Sequence, residues 1–140
     1  GGSNGGLLVG ACFTRRPELF GAVVCQVPLL DMRRYNKLLA GASWMAEYGN
    51  PDFPDEWAFL RTYSPSHNLS ADATYPSGLF TTSTKDVRVH PGHARKMVAR
   101  KRSMGHQVLY YENTEGGQAA AANSKQRAHA TALVTTYLLT

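Results

Sequence analysis

The sequence predicts an α/β fold, with a short and mostly parallel sheet flanked by helices. Three segments have the length and the residue types of buried strands, at residues 21–27, 77–83 and 107–112. Helical segments separate them, which is typical of β–α–β crossovers and of parallel pairing. A chain of 140 residues with 43% hydrophobic and 18% charged residues has the size and composition of one packed unit. We therefore expect a single domain over residues 1–140.

The helices are predicted from the spacing of apolar side chains and from residues that begin or end helices. Residues 4–16 place Leu7 and Leu8 on one face and stop before Pro17, which cannot continue a helix. Residues 91–104 begin with a proline, a residue favoured at the first helical position. The remaining helical segments are predicted at residues 33–47, 56–63 and 119–138.

A sheet of only three strands leaves its edges exposed. Open parallel sheets usually contain more strands, and both of their faces are covered. We therefore expect the chain to be the later part of a larger domain, or to complete its sheet with a second copy. The bare edge of strand 21–27 predicts a homo-oligomer.

Charge, apolar runs and cysteines exclude several classes of function. Lys and Arg (15) outnumber Asp and Glu (10), and much of the excess lies at residues 95–102. That run lacks interleaved aromatic residues, so a solvated helix face is favoured over a nucleic-acid site, and a basic binding module is the weaker alternative. No apolar run is long enough to cross a membrane. Cys12 and Cys25 have no metal-ligand spacing, which predicts two small buried residues in a reduced, cytoplasmic protein without metal or cofactor.

The first residues carry the motif that points to chemistry. Gly1-Gly2-Ser3-Asn4-Gly5 matches G-x-S-x-G, in which a serine occupies a strained turn between a strand and a helix. Flanking glycines avoid clashes in that turn, and the backbone N–H of Asn4 can point at a developing oxyanion. A flexible Gly-Ser tag has a similar composition, but the helix predicted directly after the motif favours a nucleophile at Ser3.

A serine nucleophile of this type needs an acid and then a histidine, each after a later strand. Asp86 follows strand 77–83, at the end where open α/β sheets keep their sites, although a capping aspartate is the commoner alternative. The loop after the third strand, residues 113–120, contains no histidine. His90 and His93 flank the Asp86 loop, but two solvent-facing histidines are the favoured interpretation, since no third metal ligand accompanies them.

These motifs carry a resemblance to a known family. The segment GGSNGGLLVGACF and the segments ASWMAEYG, YSPSHNL, STKDVRVHP and YYENTEGG that follow it are similar to the prolyl oligopeptidase family of serine peptidases. The similarity runs collinearly over essentially the whole chain. It implies the C-terminal part of an α/β-hydrolase catalytic domain, acting on peptides after proline or on small esters.

The resemblance also implies a role for each matching residue. Ser3 would be the nucleophile, Asn4 the backbone donor to the oxyanion, and Asp86 the acid. The residues that would contact substrate are Trp44, Tyr48 and Val89, lining a pocket for a proline ring, and Arg88, binding a substrate carbonyl. Without the resemblance, Trp44 and Tyr48 are predicted to be core residues four apart on one helix.

The departure from the family pattern that bears most on catalysis is at position 118. Gln118 stands where the catalytic histidine is expected, and its amide cannot act as a general base, although it can hydrogen-bond the Ser3 hydroxyl. In catalytic triads, loss of the histidine lowers kcat by about 10⁶. We therefore predict a serine hydrolase with impaired activity. The alternative is a non-catalytic hydrolase-fold fragment that folds and self-associates.

Overall fold

The computed structural model describes residues 1–114 and 124–140, and that part contains three strands and five α-helices. The helices are α1 (Asn4–Arg15), α2 (Met45–Tyr48), α3 (Pro54–Leu60), α4 (Gly92–Ser103) and α5 (Ser124–Leu139), and the strands are β1 (Val23–Gln26), β2 (Gly78–Ser83) and β3 (Val108–Asn113). All three predicted strands are confirmed, as are the helices predicted at 4–16, 56–63 and 91–104. The predicted start of the last helix, at residue 119, lies outside the described residues.

The three strands form one parallel sheet, as predicted, and their order in the sheet is β1-β2-β3. In its register Gln26 lies opposite Thr81, and Ser83 lies opposite Asn113. Because the strands are parallel, their carboxyl ends meet at the same edge of the sheet. The loops that follow them therefore emerge side by side.

The outer edge of β1 is partly occupied by the first residues of the chain. The Gly1 amino group donates to the Val24 carbonyl at 2.9 Å, and the Gln26 N–H donates to the Gly1 carbonyl at 2.9 Å. Gly2 and Gln26 form a parallel bridge. The expectation of a bare edge was therefore wrong at the carboxyl end of β1. Self-association through this edge stays a prediction.

The main core lies between the sheet and helices α1 and α4. Its fully buried centre includes Phe13 of α1, Cys25 of β1, Phe80 of β2 and Met97 of α4. Cys25 is the small buried residue that the sequence predicts, whereas Cys12 is exposed on α1, so the prediction of two buried cysteines was half wrong. Helix α5 lies against β3, where the rings of Tyr111 and His129 are 5.4 Å apart.

Residues 33–47 do not form the single helix that the sequence predicts. They form two 3₁₀ turns, Tyr35–Lys37 and Leu39–Trp44, followed by the short helix α2. Leu39 has a positive φ of 52°, which no residue inside an α-helix adopts. A Cβ atom on Gly41 would lie 1.7 Å from the Tyr35 carbonyl oxygen, so only glycine permits the tight turn between these residues.

The basic run at residues 95–102 is not the uniformly solvated face that was predicted. Lys101 is fully buried in the main core. Its ammonium lies 5.3–5.8 Å from the ring centres of three aromatic side chains, Phe13, Tyr75 and Phe80. The Lys101 stem therefore packs as a core residue, and the rings provide cation–π attraction for its head group.

Candidate active site

Ser3 occupies a strained turn between the edge of the sheet and helix α1. Its backbone has φ 55° and ψ −115°, a conformation that is costly for a residue with a side chain. The Ser3 N–H donates to the Gln26 carbonyl at 2.8 Å, and the Ser3 carbonyl accepts from the Leu7 N–H at 3.1 Å. The residue is thus held from both sides, in the strand–turn–helix context that the motif predicts. A flexible tag would have neither contact.

The glycines around Ser3 differ in whether the structure requires glycine at their positions. A Cβ atom on Gly1 would lie 2.6 Å from the Gly5 carbonyl oxygen, so the predicted steric need for glycine is confirmed there. A Cβ atom on Gly5 would meet nothing within 4 Å in the described structure. Gly6, just outside the motif, is required by packing, because its Cβ would lie 2.7 Å from the Pro28 ring.

Asn4 is the first residue of α1, and its backbone N–H belongs to the helical turn whose N–H groups have no partner inside the helix. The Ser3 side chain makes no capping hydrogen bond to this turn in the described structure. The amino end of a helix carries partial positive charge and binds anions. Asn4 is therefore placed where an N–H could stabilise negative charge beside the Ser3 hydroxyl.

Asp86 is buried, and one of its two carboxylate oxygens is used by its own turn. Oδ1 accepts the backbone N–H of Arg88 at 2.8 Å and that of Val89 at 3.0 Å. Oδ2 is also buried and has no hydrogen-bond partner within the described residues. The turn therefore fixes the carboxylate and leaves one oxygen able to accept a hydrogen bond from another side chain. A capping role alone would use only Oδ1.

The sheet brings the loops that carry these residues to one edge. Gly2 bridges to the last residue of β1, and Asp86 follows β2, the next strand. Because neighbouring strands are about 4.8 Å apart, the Ser3 turn lies roughly 10 Å across the sheet from β2. Strand β3 ends at Asn113, at the same edge of the sheet. Gln118, the residue expected near both, lies outside the described residues.

A second apolar cluster connects the Ser3 helix with the Asp86 loop. Its buried members include Leu7 of α1, Tyr35 and Val89. Trp44 and Tyr48 are partly exposed and pack against these residues. The Arg88 carbonyl accepts the Ala40 N–H at 3.3 Å, which joins the Asp86 loop to the 3₁₀ turn that leads to Trp44. Thus the residues that the sequence assigns to a substrate pocket do share one cluster, although no single helix carries them.

Tyr48 reaches the Ser3 turn directly, because its hydroxyl donates to the side-chain oxygen of Asn4. Burial raises the pKa of Tyr48 to about 12, with a smaller contribution from the nearby Glu47 carboxylate. The hydroxyl is therefore protonated at neutral pH and available as a donor. The resemblance predicts that Asn4 and Tyr48 belong to one site, but nothing in the sequence predicts the contact between their side chains.

The two histidines near Asp86 are not both solvent-facing, as the sequence analysis predicted. His93 is buried, and its Nδ1 accepts the N–H groups of Leu30 and Asp31 at 3.1 and 3.0 Å. Burial lowers the pKa of His93 to about 4, so the ring is neutral. His90 is partly exposed, and its Nδ1 accepts the Gly92 N–H at 2.8 Å. His93 thus binds the backbone of the segment after β1, whereas His90 binds local backbone at the start of α4.

Sequence reasoning missed the ionic centre at Asp31, which ties together the elements beside the cluster. Its carboxylate is buried and contacts three side chains: Lys96 at 2.8 Å, Arg34 at 3.3 Å and His67 at 4.0 Å. Burial opposes ionisation of Asp31, but the hydrogen bond and charge of Lys96, with the charges of His67 and Arg34, lower its pKa. The only signal in the sequence is a lone aspartate after an apolar run, which does not identify its partners.

In residues 1–114 and 124–140, no group of three His, Cys, Asp or Glu side chains is arranged to hold a metal ion. In the same residues, no helix has the length and apolar character that crossing a bilayer requires.

The chain is similar to known peptidases over almost all of its length. The profile of the prolyl oligopeptidase family matches residues 1–140. An uncharacterised peptidase of Sinorhizobium fredii is 57% identical over 138 residues, which cover 99% of this chain and 19% of that protein. A prolyl endopeptidase of Elizabethkingia meningoseptica is 42% identical over 130 residues, covering 90% of this chain and 18% of that one.

The fold is also similar to solved structures. The structure of a post-proline cleaving enzyme from Rickettsia typhi matches with a TM-score of 0.89 and 43% identity, over 91% of this chain and 19% of that one. This match confirms the α/β-hydrolase fold that the sequence predicts. The chain spans about a fifth of the length of these relatives.

Proposed function

The chain belongs to the prolyl oligopeptidase family, and from this premise we propose that it bears the nucleophile of a serine hydrolase acting on peptides after proline or on small esters. The observation that carries the proposal is the strained backbone of Ser3, with φ 55°. Such strain persists where surrounding structure enforces it, and it clusters at functional sites. The similarity to a post-proline cleaving enzyme supports the substrate class.

The proposed reaction is acyl transfer through a covalent intermediate. The Ser3 hydroxyl attacks the substrate carbonyl and loses its proton to water, since Gln118 cannot act as a base, and the oxyanion is stabilised by the Asn4 N–H at the start of α1. The amine or alcohol then leaves with a proton. Water hydrolyses the acyl-enzyme and restores Ser3.

The acid of the site is Asp86, acting through its free oxygen. A carboxylate that is held through Oδ1 and open at Oδ2 can orient a ring N–H, as the acid of a catalytic triad does. With Gln118 at the expected histidine position, Oδ2 would instead accept an amide N–H. An amide cannot take the proton from Ser3, so turnover is slow.

The substrate pocket is proposed on the apolar cluster beside the turn. Trp44 and Val89 present apolar surface suited to a proline ring, and Tyr48 adds a polar tip. Arg88 has an exposed side chain and lies two residues from Asp86, where its guanidinium could donate to a substrate carbonyl.

The decisive experiment restores a base at position 118. In Gln118→His we expect hydrolysis of a Gly-Pro-amide or a nitrophenyl ester to rise by at least about 10²-fold, the usual contribution of a general base. Gln118→Asn is the matched control, because it changes the side chain without adding a base. Ser3→Ala in the Gln118→His background should abolish the gain. A fluorophosphonate probe should label Ser3, and unchanged activity in Ser3→Ala would remove that residue from the mechanism.

The second candidate function is a non-catalytic member of the family, and Gln118 is the observation that favours it. If Gln118→His keeps its thermal stability and gains no activity towards either substrate, the site is not assembled for catalysis. The chain would then act by folding and self-association, and sedimentation at several concentrations would detect the oligomer.

A further inference from the structure

The hydrogen bond between Tyr48 and Asn4 joins two parts of the site that have separate tasks. The Tyr48 hydroxyl donates to Asn4 Oδ1 across 44 residues of sequence. Tyr48 belongs to the wall of the substrate pocket, and Asn4 supplies the backbone N–H next to Ser3. The contact therefore links the pocket wall to the first residue of α1.

The Tyr48 end of this contact is rigid. Its ring packs edge-on against Tyr35, with ring centres 5.6 Å apart and an interplanar angle of 88°. Tyr35 is fully buried, and its own hydroxyl donates to the Gly49 carbonyl, the residue after Tyr48. The Tyr48 hydroxyl is thus fixed by packing rather than by the Asn4 contact alone.

The Asn4 end depends more on the contact. Asn4 is exposed, it is the first residue of its helix, and it follows a residue with strained backbone. The first turn of a helix lacks the full set of intrahelical hydrogen bonds, so its geometry is the least constrained part of α1. An external hydrogen bond to this residue therefore has the largest effect where the oxyanion donor lies.

We propose that Tyr48 is a positioning residue whose hydrogen bond to Asn4 couples occupation of the proline pocket to alignment of the Asn4 N–H. The proposal rests on the proposed function, because it uses the same pocket and the same oxyanion donor. Binding energy from the substrate ring is then expressed in kcat rather than only in KM, as expected when remote contacts align the reacting groups.

The first test needs no catalysis and uses the chain with Gln118 in place. N-acetyl-L-prolinamide is titrated in an NMR experiment that follows the Trp44 indole N–H and the Asn4 backbone N–H. We expect both signals to shift with the same saturation curve, and in Tyr48→Phe we expect Trp44 to respond while the Asn4 shift is largely lost. Tyr75→Phe is the matched control, because it removes a hydroxyl that accepts the Ser70 N–H, away from Asn4.

The outcomes separate this proposal from the proposed function. If Trp44 responds and Asn4 does not respond in the unsubstituted chain, the pocket exists and the coupling is overturned. If neither signal responds, the proline pocket itself is absent, and both proposals fall.

The second test is kinetic and uses the Gln118→His background. Loss of one aligned hydrogen bond predicts that Tyr48→Phe lowers kcat for a prolyl amide about tenfold with little change in KM. Asn4→Ala keeps the backbone N–H, so it should reproduce this effect, and the double variant should be no slower than either single one. If Tyr48→Phe instead raises KM at constant kcat, Tyr48 only lines the pocket and the proposal is overturned. If the effects of Tyr48→Phe and Asn4→Ala multiply in the double variant, the two residues act independently, which also overturns it.

Discussion

The carboxylate of Asp86 accepts the backbone N–H of Val89 at 3.0 Å through Oδ1, and this contact fixes the orientation of Oδ2. Val89 is itself almost fully buried in the apolar cluster that includes Leu7 of the Ser3 helix. The acid is thereby tied to the pocket through its own turn. Its free oxygen is held in a buried position, where a hydrogen bond is stronger than in water.

This relationship predicts that Asp86→Asn separates activity from stability. The asparagine Oδ1 can still accept both backbone N–H groups, so the free energy of unfolding should change little. In the Gln118→His background, kcat should fall by about 10³–10⁴, because an amide cannot orient and stabilise the charged imidazole. Steady-state kinetics and urea denaturation of the same samples measure the two effects. Asp72→Asn, at an exposed aspartate, is the control, and an equal loss in both variants would remove Asp86 from the site.

The strained turn predicts a difference between two glycines of one motif. Gly1→Ala would place a Cβ 2.6 Å from the Gly5 carbonyl oxygen. The backbone must shift to relieve this contact, and we expect a loss of about 1–3 kcal/mol in the free energy of unfolding. Gly5→Ala is the matched control, since it adds a Cβ in open space inside a helix and should be neutral or stabilising by up to about 1 kcal/mol. Urea denaturation of both variants tests the prediction, and equal stability would contradict it.

Local constraints explain what could be predicted from the sequence. The Ser3 turn depends on glycines within a few residues and on the helix directly after it, so the pentapeptide contains the information. The position of Asp86 follows from the order of strands in a parallel sheet, which brings successive carboxyl ends together. The first feature can be predicted from neighbouring residues, and the second from the topology of the sheet.

Long-range packing explains what could not be predicted. Residues 33–47 have the spacing of a helix, but Gly41 packs on the Tyr35 carbonyl and Leu39 takes a positive φ. Lys101 lies in a charged run, yet the rings around it come from α1, from β2 and from the segment before β2. No local pattern records either set of partners, so a prediction from periodicity or charge alone fails at both.

The buried Lys101 predicts a substitution that stabilises the protein. Burial lowers the pKa of Lys101 to about 8 from an ordinary value of 10.5. Below pH 8 the lysine is charged in both the folded and unfolded states, and the cost of burying the charge is fully present. Between pH 8 and 10.5 only the unfolded state holds the proton, so stability should rise with pH.

Lys101→Met should remove that cost and keep the aliphatic packing. We expect a gain of about 1–3 kcal/mol at pH 7, since the shift in pKa sets the upper limit and the cation–π contacts offset part of it. The gain should shrink as the pH is raised towards 10.5. Urea denaturation at pH 7 and pH 9.5 measures both values. Arg102→Met, at an exposed position of the same helix, is the control, and a loss of stability in Lys101→Met would contradict the prediction.

The ion pair between Arg95 and Glu112 predicts a pH dependence of the same sign, but in the acid range. Arg95 donates to the carboxylate through Nε at 2.8 Å and Nη2 at 2.5 Å, and Thr84 and Tyr110 also donate to it. The hydrogen bond from Arg95 is the main reason that the pKa of Glu112 is lowered to about 2, against the effect of burial. The contact joins the end of β3 to α4 and to the loop after β2, which leads to Asp86.

Glu112→Gln should therefore destabilise the protein above pH 4.5 and have less effect as the pH falls. A group with a lowered folded pKa stabilises the fold above its unfolded value, and this contribution is lost as the pH approaches 2. Because Arg95 is nearly half exposed, the expected loss at pH 7 is only about 1 kcal/mol. Thermal or urea unfolding from pH 7 to pH 2.5 tests the trend. Glu18→Gln is the control, because it removes a largely exposed pair with Arg16 and should leave the stability unchanged. A Glu112→Gln loss that is independent of pH would show that packing, not charge, holds this contact.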